Sequence, residues 1–176
     1  MKWDSITGNT NPNKGSAWKA VRMEKTNHHF VFIEAPVNMV SPQIILWGEA
    51  SWWPKDCQMR FKKRTPGEIR IGTEYEQRVR APFAGSFSCR VTQLDPSREI
   101  ERTFLTGMFK GRENVMLEER YNGTKVSYTL FYELRGILNV MLWPVLFQQM
   151  HDKNINKILA ALKKYCEEKA NPLENP

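Results

Sequence analysis

Eight polar side chains fall where they could act together on a bound molecule: Tyr75, Gln77, Arg102, Glu113, Glu119, Tyr128, Tyr132 and His151. Tyr75 and Gln77 are two residues apart, and Tyr128 and Tyr132 flank Leu130, so each set shares one face if its segment is a strand. An arginine on an apolar face needs a partner, because an unpaired buried charge costs several kcal/mol. The arginine–carboxylate pair reads first as a structural ion pair near a cavity mouth. Its chemical reading is that it orients the polar head of a ligand. A stronger form has Arg102 polarise a carbonyl while a tyrosine or histidine moves a proton, as an aldol-type cyclisation requires. Tyrosines suit either reading, since each offers an apolar body and one hydroxyl.

Other chemistry lacks its signatures. The chain has no Gly-rich phosphate loop, no nucleophile elbow and no His-Glu-x-x-His. Adjacent His28 and His29 project to opposite faces of a strand and cannot chelate one metal together, so neither a metal site nor a cofactor is expected. Cys57, Cys89 and Cys166 are odd in number and lack ligand spacing, which points to reduced, buried thiols. No residue is assigned a catalytic role.

These side chains must be placed by strands and one helix. His28–Ala35 reads as a strand stopped by Pro36, and Val37 to about Trp53 reads as one or two short helices limited by Pro42 and Pro54. Period-two alternation then runs through Cys57, Met59 and Phe61, through Ile71, Thr73, Tyr75, Gln77 and Val79, through Phe87, Cys89 and Val91, and through Ile100 and Phe104. A hairpin with Asn122-Gly123 as its two-residue turn pairs Tyr121 with Thr124, Leu117 with Tyr128 and Val115 with Leu130. Carried back through a four-residue turn at Met108–Gly111, the register pairs Arg102 with Leu117 and makes Glu119 the nearest partner of Arg102. Glu101, Glu118, Arg120 and Lys125 take the outer face.

After Gly136 the period becomes helical. Ile155, Ile158, Leu159, Leu162 and Cys166 form one stripe, which His151 extends by one turn. Pro144 predicts a new helix start, with Ile137–Trp143 as a separate short helix. Met141, Trp143, Phe147 and Met150 read as core. The inner-face candidates for lining a cavity are therefore the eight polar residues with Leu117, Leu130 and Ile155.

At 176 residues the chain is sized for one domain. Residues 1–26 read as a loosely ordered tail, 27–170 as the ligand-binding domain and 171–176 as a C-terminal tail. No apolar run reaches the roughly 18 residues that span a bilayer, and the start lacks the apolar core of a signal peptide, which predicts a cytoplasmic protein. The net charge of +7 invites a nucleic-acid or membrane-surface reading. Its densest cluster, Lys62-Lys63-Arg64 with Arg70, surrounds a turn at Thr65-Pro66-Gly67 and has no interleaved aromatic residues, so nucleic acid is not favoured.

The order of elements, the segment Val31-Phe32-Ile33-Glu34-Ala35-Pro36-Val37 and the element Ser51-Trp52-Trp53-Pro54 resemble the START-like, Bet v 1-like helix-grip superfamily (SRPBCC), in particular its polyketide cyclase/dehydrase and lipid transport branch. The resemblance covers roughly residues 28–169. It implies an α+β helix-grip fold, in which a curved antiparallel sheet of about seven strands wraps a long C-terminal helix, with two short helices after the first strand. It also implies an apolar cavity for lipids, quinones, isoprenoids, pigments or polyketide-like molecules, and no obligatory cofactor. Binding or carriage of such a molecule is the first functional reading, with transient membrane-surface contact as a possible accompaniment. A polyketide cyclase or aromatase acting in the same cavity is the second.

Overall fold

The computed structural model describes residues 24–80 and 85–171, apart from the side chains of Phe109, Leu138 and Leu146. The tail segments 1–23 and 172–176 lie outside the described residues. Seven strands are connected in the order β1 (Lys25–Ile33), α1 (Val37–Ile45), β2 (Met59–Lys63), β3 (Glu74–Val79), β4 (Ser86–Asp95), β5 (Glu99–Phe104), β6 (Phe109–Arg120) and β7 (Gly123–Leu134). They form one antiparallel sheet in the spatial order β1-β7-β6-β5-β4-β3-β2, so the first strand closes against the last. The chain ends in α2 (Ile137–Leu142), a π-helical turn (Trp143–Phe147) and α3 (Gln148–Ala170). No helix among the described residues is long and apolar enough to cross a membrane.

The expected alternation puts the core where the sheet meets α3. Val91, Ile100, Val115 and Val126 face inward from the strands, and Ile155, Ile158, Leu159, Leu162 and Cys166 face them from α3, all buried. Each such aliphatic side chain contributes about 1.5–3 kcal/mol by leaving water. Tyr75 and Gln77 share the buried face of β3 and Thr73, just before it, is buried too, whereas Ile71, expected with them, is exposed. Pro36 ends the β1 segment and its carbonyl accepts the first backbone bonds of α1, from Met39 and Val40. Leu46 to Trp53 then form turns in place of a second regular helix.

Three expectations about chain geometry are corrected. The β6–β7 hairpin turns at Tyr121-Asn122, with Arg120 opposite Gly123, so Leu117 faces Val126, Val115 faces Tyr128 and Glu113 faces Leu130. Gly123 serves a different need from the turn: a Cβ there would stand 2.1 Å from the Ile33 carbonyl oxygen, where β1 ends against β7. The β5–β6 turn likewise falls earlier, around Gly107 at φ 106°, and Arg102 pairs with Glu113 instead of Leu117. Both slips are even-numbered, so every side chain keeps its expected face and only its neighbours change. Pro144 does not start a fresh helix. It has no N–H for the helical ladder, and the chain widens into a π turn there, with the Gln148 N–H donating to the Trp143 carbonyl.

Candidate functional site

A cavity lies between the concave face of the sheet, the π turn and the start of α3. The cavity is small, about 40 Å³ in volume. Its sheet wall is Met59, Val79, Phe87, Phe104 and Leu130, and Trp143, Phe147 and Met150 close it from the helical side, with Met108 at the β5–β6 turn. Gln77, Tyr128, His151 and Asn154 are its polar lining. Period two on the strands places the first group inward, and the π turn swings Trp143 and Phe147 toward the sheet.

Behind the lining lies a fully buried polar network centred on Glu113, 1% exposed, which sits on β6 directly opposite Arg102. Its Oε1 accepts from Arg102 Nη1 and from Gln77 Nε2, each at 3.1 Å, and its Oε2 accepts from the Tyr128 hydroxyl at 3.1 Å. The Arg102 guanidinium also lies 5.3 Å from the centre of the Tyr75 ring, and its Nε and Nη2 have no hydrogen-bond partner among the described residues. Tyr128 is held from one side by the indole of Trp47, stacked at 6.1 Å and 11°, and from the other by His151, whose Nε2 stands 3.4 Å from the hydroxyl oxygen. Burial first, then the Glu113 charge, raises the Tyr128 hydroxyl well above its ordinary pKa, so it remains a proton donor. Burial also pushes the neighbouring Cys89 thiol up to about 12.

The structure thus distributes the candidates into four groups. Gln77, Tyr128, Leu130 and His151 line the cavity, while Tyr75, Arg102 and Glu113 form the buried layer beneath it. Leu117, Tyr132 and Ile155 are buried but do not line it, and the Tyr132 hydroxyl accepts from Trp143 Nε1 at 2.9 Å, fastening the π turn to β7. Glu119 is exposed at the end of β6, opposite Thr124, and is not the partner of Arg102; the register slip gives that role to Glu113. Of the group read as core, Trp143, Phe147 and Met150 line the cavity, whereas Met141 is exposed. Asn154 was missed although it lies one turn from His151 on the same helix face. Its Oδ1 accepts from the Gln58 backbone N–H at 2.9 Å, tying α3 to the start of β2.

No family model and no curated protein matches the chain. Solved structures do. The ZhuI aromatase/cyclase from Streptomyces sp. R1128 superposes with a TM-score of 0.66 at 16% identity, over 84% of this chain and 96% of that one. Norcoclaurine synthase from Thalictrum flavum, in complex with a transition-state analogue, gives 0.64 at 11% identity, over 84% and 96%. Ara h 8.0201 gives 0.61 at 12% identity, over 82% and 98%. The chain has the Bet v 1-like helix-grip fold: a seven-stranded antiparallel sheet folded around a long C-terminal helix.

Proposed function

We propose that this protein binds and carries a hydrophobic small molecule of the lipid, quinone, isoprenoid, pigment or polyketide-like class in the cavity between the sheet and α3. The observation that carries the reading is the lining itself: aliphatic, aromatic and methionine side chains around a short polar strip of Gln77, Tyr128, His151 and Asn154. Such a surface gains by covering apolar area and uses a few hydrogen bonds to set orientation. The cavity is small, so a ligand must displace side chains to enter. Met59, Met108 and Met150 stand where that displacement is needed, and unbranched thioethers change rotamer readily. Membrane contact during loading would use Ile137, Met141 and Val145, exposed beside the π turn that closes the cavity.

A cyclisation or dehydration catalysed in the same cavity is the second reading. It is supported by the Glu113–Tyr128–His151 chain, which reaches the cavity wall with a protonated hydroxyl between a carboxylate and an imidazole. The basic-surface reading has less support, because Arg64 is paired with Glu76 and Lys63 with Glu49.

Organic extraction of the purified full chain, followed by mass spectrometry, tests the proposal. An apolar molecule recovered at up to one equivalent, and lost on Leu130→Trp substitution that fills the cavity, is the expected result. Recovery of nothing apolar, together with failure of a panel of fatty acids and quinones to quench tryptophan fluorescence saturably, would overturn it. Tyr128→Phe separates the two readings, since carriage survives loss of that hydroxyl and proton transfer does not.

A further inference from the structure

On the far side of His151 from the cavity, β1 and α3 bring together a second group of side chains. His29 Nε2 lies 3.1 Å from Asp152 Oδ1 and 2.7 Å from Asn27 Oδ1, while Asn27 Nδ2 donates to that same Asp152 oxygen at 2.8 Å. His29 Nδ1 is 3.0 Å from Asn156 Oδ1. One donor atom from each of His29, His151 and Asp152 falls within 4.8 Å of the others.

The hydrogen bonds around the two imidazoles decide where their lone pairs point. The Tyr128 hydroxyl gives its proton to Glu113, so its oxygen can only accept from His151 Nε2. His151 is thereby the Nε2–H tautomer and turns the lone pair of Nδ1 toward Asp152 Oδ1 at 3.7 Å. That buried Nδ1 has no hydrogen-bond partner among the described residues. On His29, the Asn156 side-chain oxygen accepts from Nδ1–H, and Nε2–H is shared between Asn27 Oδ1 and Asp152 Oδ1; loss of that proton to solvent turns the Nε2 lone pair toward the same Asp152 oxygen. A divalent cation taking the place of the His29 Nε2 proton would sit among two nitrogen lone pairs and a carboxylate oxygen.

We propose that His29 Nε2, His151 Nδ1 and Asp152 Oδ1 form a binding site for a late first-row divalent metal ion, with zinc(II) as the best fit and Asn27 Oδ1 as a further oxygen donor. Imidazole with one carboxylate suits zinc, and its ligand atoms at roughly 2.0–2.1 Å stand about 3.3 Å apart in a tetrahedron. The two separations to Asp152 Oδ1, 3.1 and 3.7 Å, lie either side of that value, and all three donor atoms fall within 4.8 Å of one another. Sequence spacing conceals the site because His29 and Asp152 are 123 residues apart. The neighbouring His28 takes the other face, 2.9 Å from the Thr129 hydroxyl.

Zinc(II) titrated into the full chain by calorimetry, with cobalt(II) absorption as an independent reading of ligand geometry, tests the assignment. One saturable equivalent per chain is expected. His29→Ala and Asp152→Asn should each weaken it by more than the roughly tenfold to hundredfold that loss of an outer-shell partner costs, and His28→Ala should leave it unchanged. Zinc should also raise the thermal midpoint of the wild type and His28→Ala but not of His29→Ala. Asp152→Asn keeps the side-chain shape, so it reports on the site even if His29→Ala folds poorly. Absence of a saturable equivalent would show that a proton on His29 bridges the cluster and would overturn the site. Zinc binding that survives both His29→Ala and Asp152→Asn would place the metal elsewhere and overturn it equally.

Discussion

Glu113→Gln is the most searching perturbation of this molecule. Three donors converge on that side chain: Arg102 Nη1, Gln77 Nε2 and the Tyr128 hydroxyl, each at 3.1 Å. A carboxylate accepts from all three, whereas a glutamine of the same size offers one acceptor oxygen and must turn its NH₂ toward a donor. Arg102 is 0% exposed and has no other ion-pair partner among the described residues, so the substitution strands a buried guanidinium. Removing one member of a buried pair costs about 3–5 kcal/mol. Against a typical total of about 5–15 kcal/mol the variant folds wherever the parent exceeds that loss. At about 2–4 °C per kcal/mol for a chain of this size, its thermal midpoint falls by about 6–20 °C. Urea unfolding followed by tryptophan fluorescence measures the loss. The double variant Arg102→Met with Glu113→Gln no longer strands a charge, so it should be more stable than Glu113→Gln alone, with a coupling energy of about 2 kcal/mol or more. A single-variant loss below about 1 kcal/mol, or strictly additive losses, would refute the account of the network as one electrostatic unit.

Three further outcomes are expected. Gly123→Ala should cost more than about 1 kcal/mol in urea unfolding, because its Cβ meets the Ile33 carbonyl, while Gly85→Ala, with nothing within 4 Å, should be close to neutral. The buried thiols should resist Ellman's reagent in the folded protein: with pKa values of about 12 and about 11, Cys89 and Cys166 carry roughly one part in ten thousand and one part in a thousand of thiolate at pH 8. Rapid reaction of all three thiols without denaturant would contradict that burial. The same raised pKa values set an alkaline limit, since the folded state holds protons that the unfolded state releases above about 9. That stability is intact below pH 9 and is lost progressively toward pH 12, and Cys89→Ala should flatten the decline in urea midpoint over this range.

Much of the fold was legible in the sequence because period two and period 3.6 survive errors of position. Arg102, Glu113, Tyr128 and Gln77 were all assigned to the inner face, and His151 to the apolar stripe of the last helix, from parity alone. What parity cannot supply is register. Asn122-Gly123 and Gly111 both look like turn residues, yet Gly123 is needed where β1 crowds β7, and a Cβ at Gly111 would stand 2.0 Å from the Phe131 carbonyl oxygen inside the sheet. Each was spent on a turn, and the partner of Arg102 moved from Glu113 to Glu119 as a result. The π turn escaped notice for a similar reason: proline announces a disturbance of the helix without saying whether the chain breaks or widens.

The sequence by itself determined which side chains face inward, that the strands precede a single long helix, and that the enclosed surface is apolar with a few polar groups, because alternation and amphipathicity are properties of the local chain. Only the tertiary structure decided that Glu113 gathers Arg102, Gln77 and Tyr128, that Trp143 and Phe147 close the cavity, and that His29 meets His151 and Asp152. Those meetings depend on strand register and on how α3 seats across β1, and both are set by contacts between residues far apart in the chain, where an ångström decides which donor reaches which acceptor.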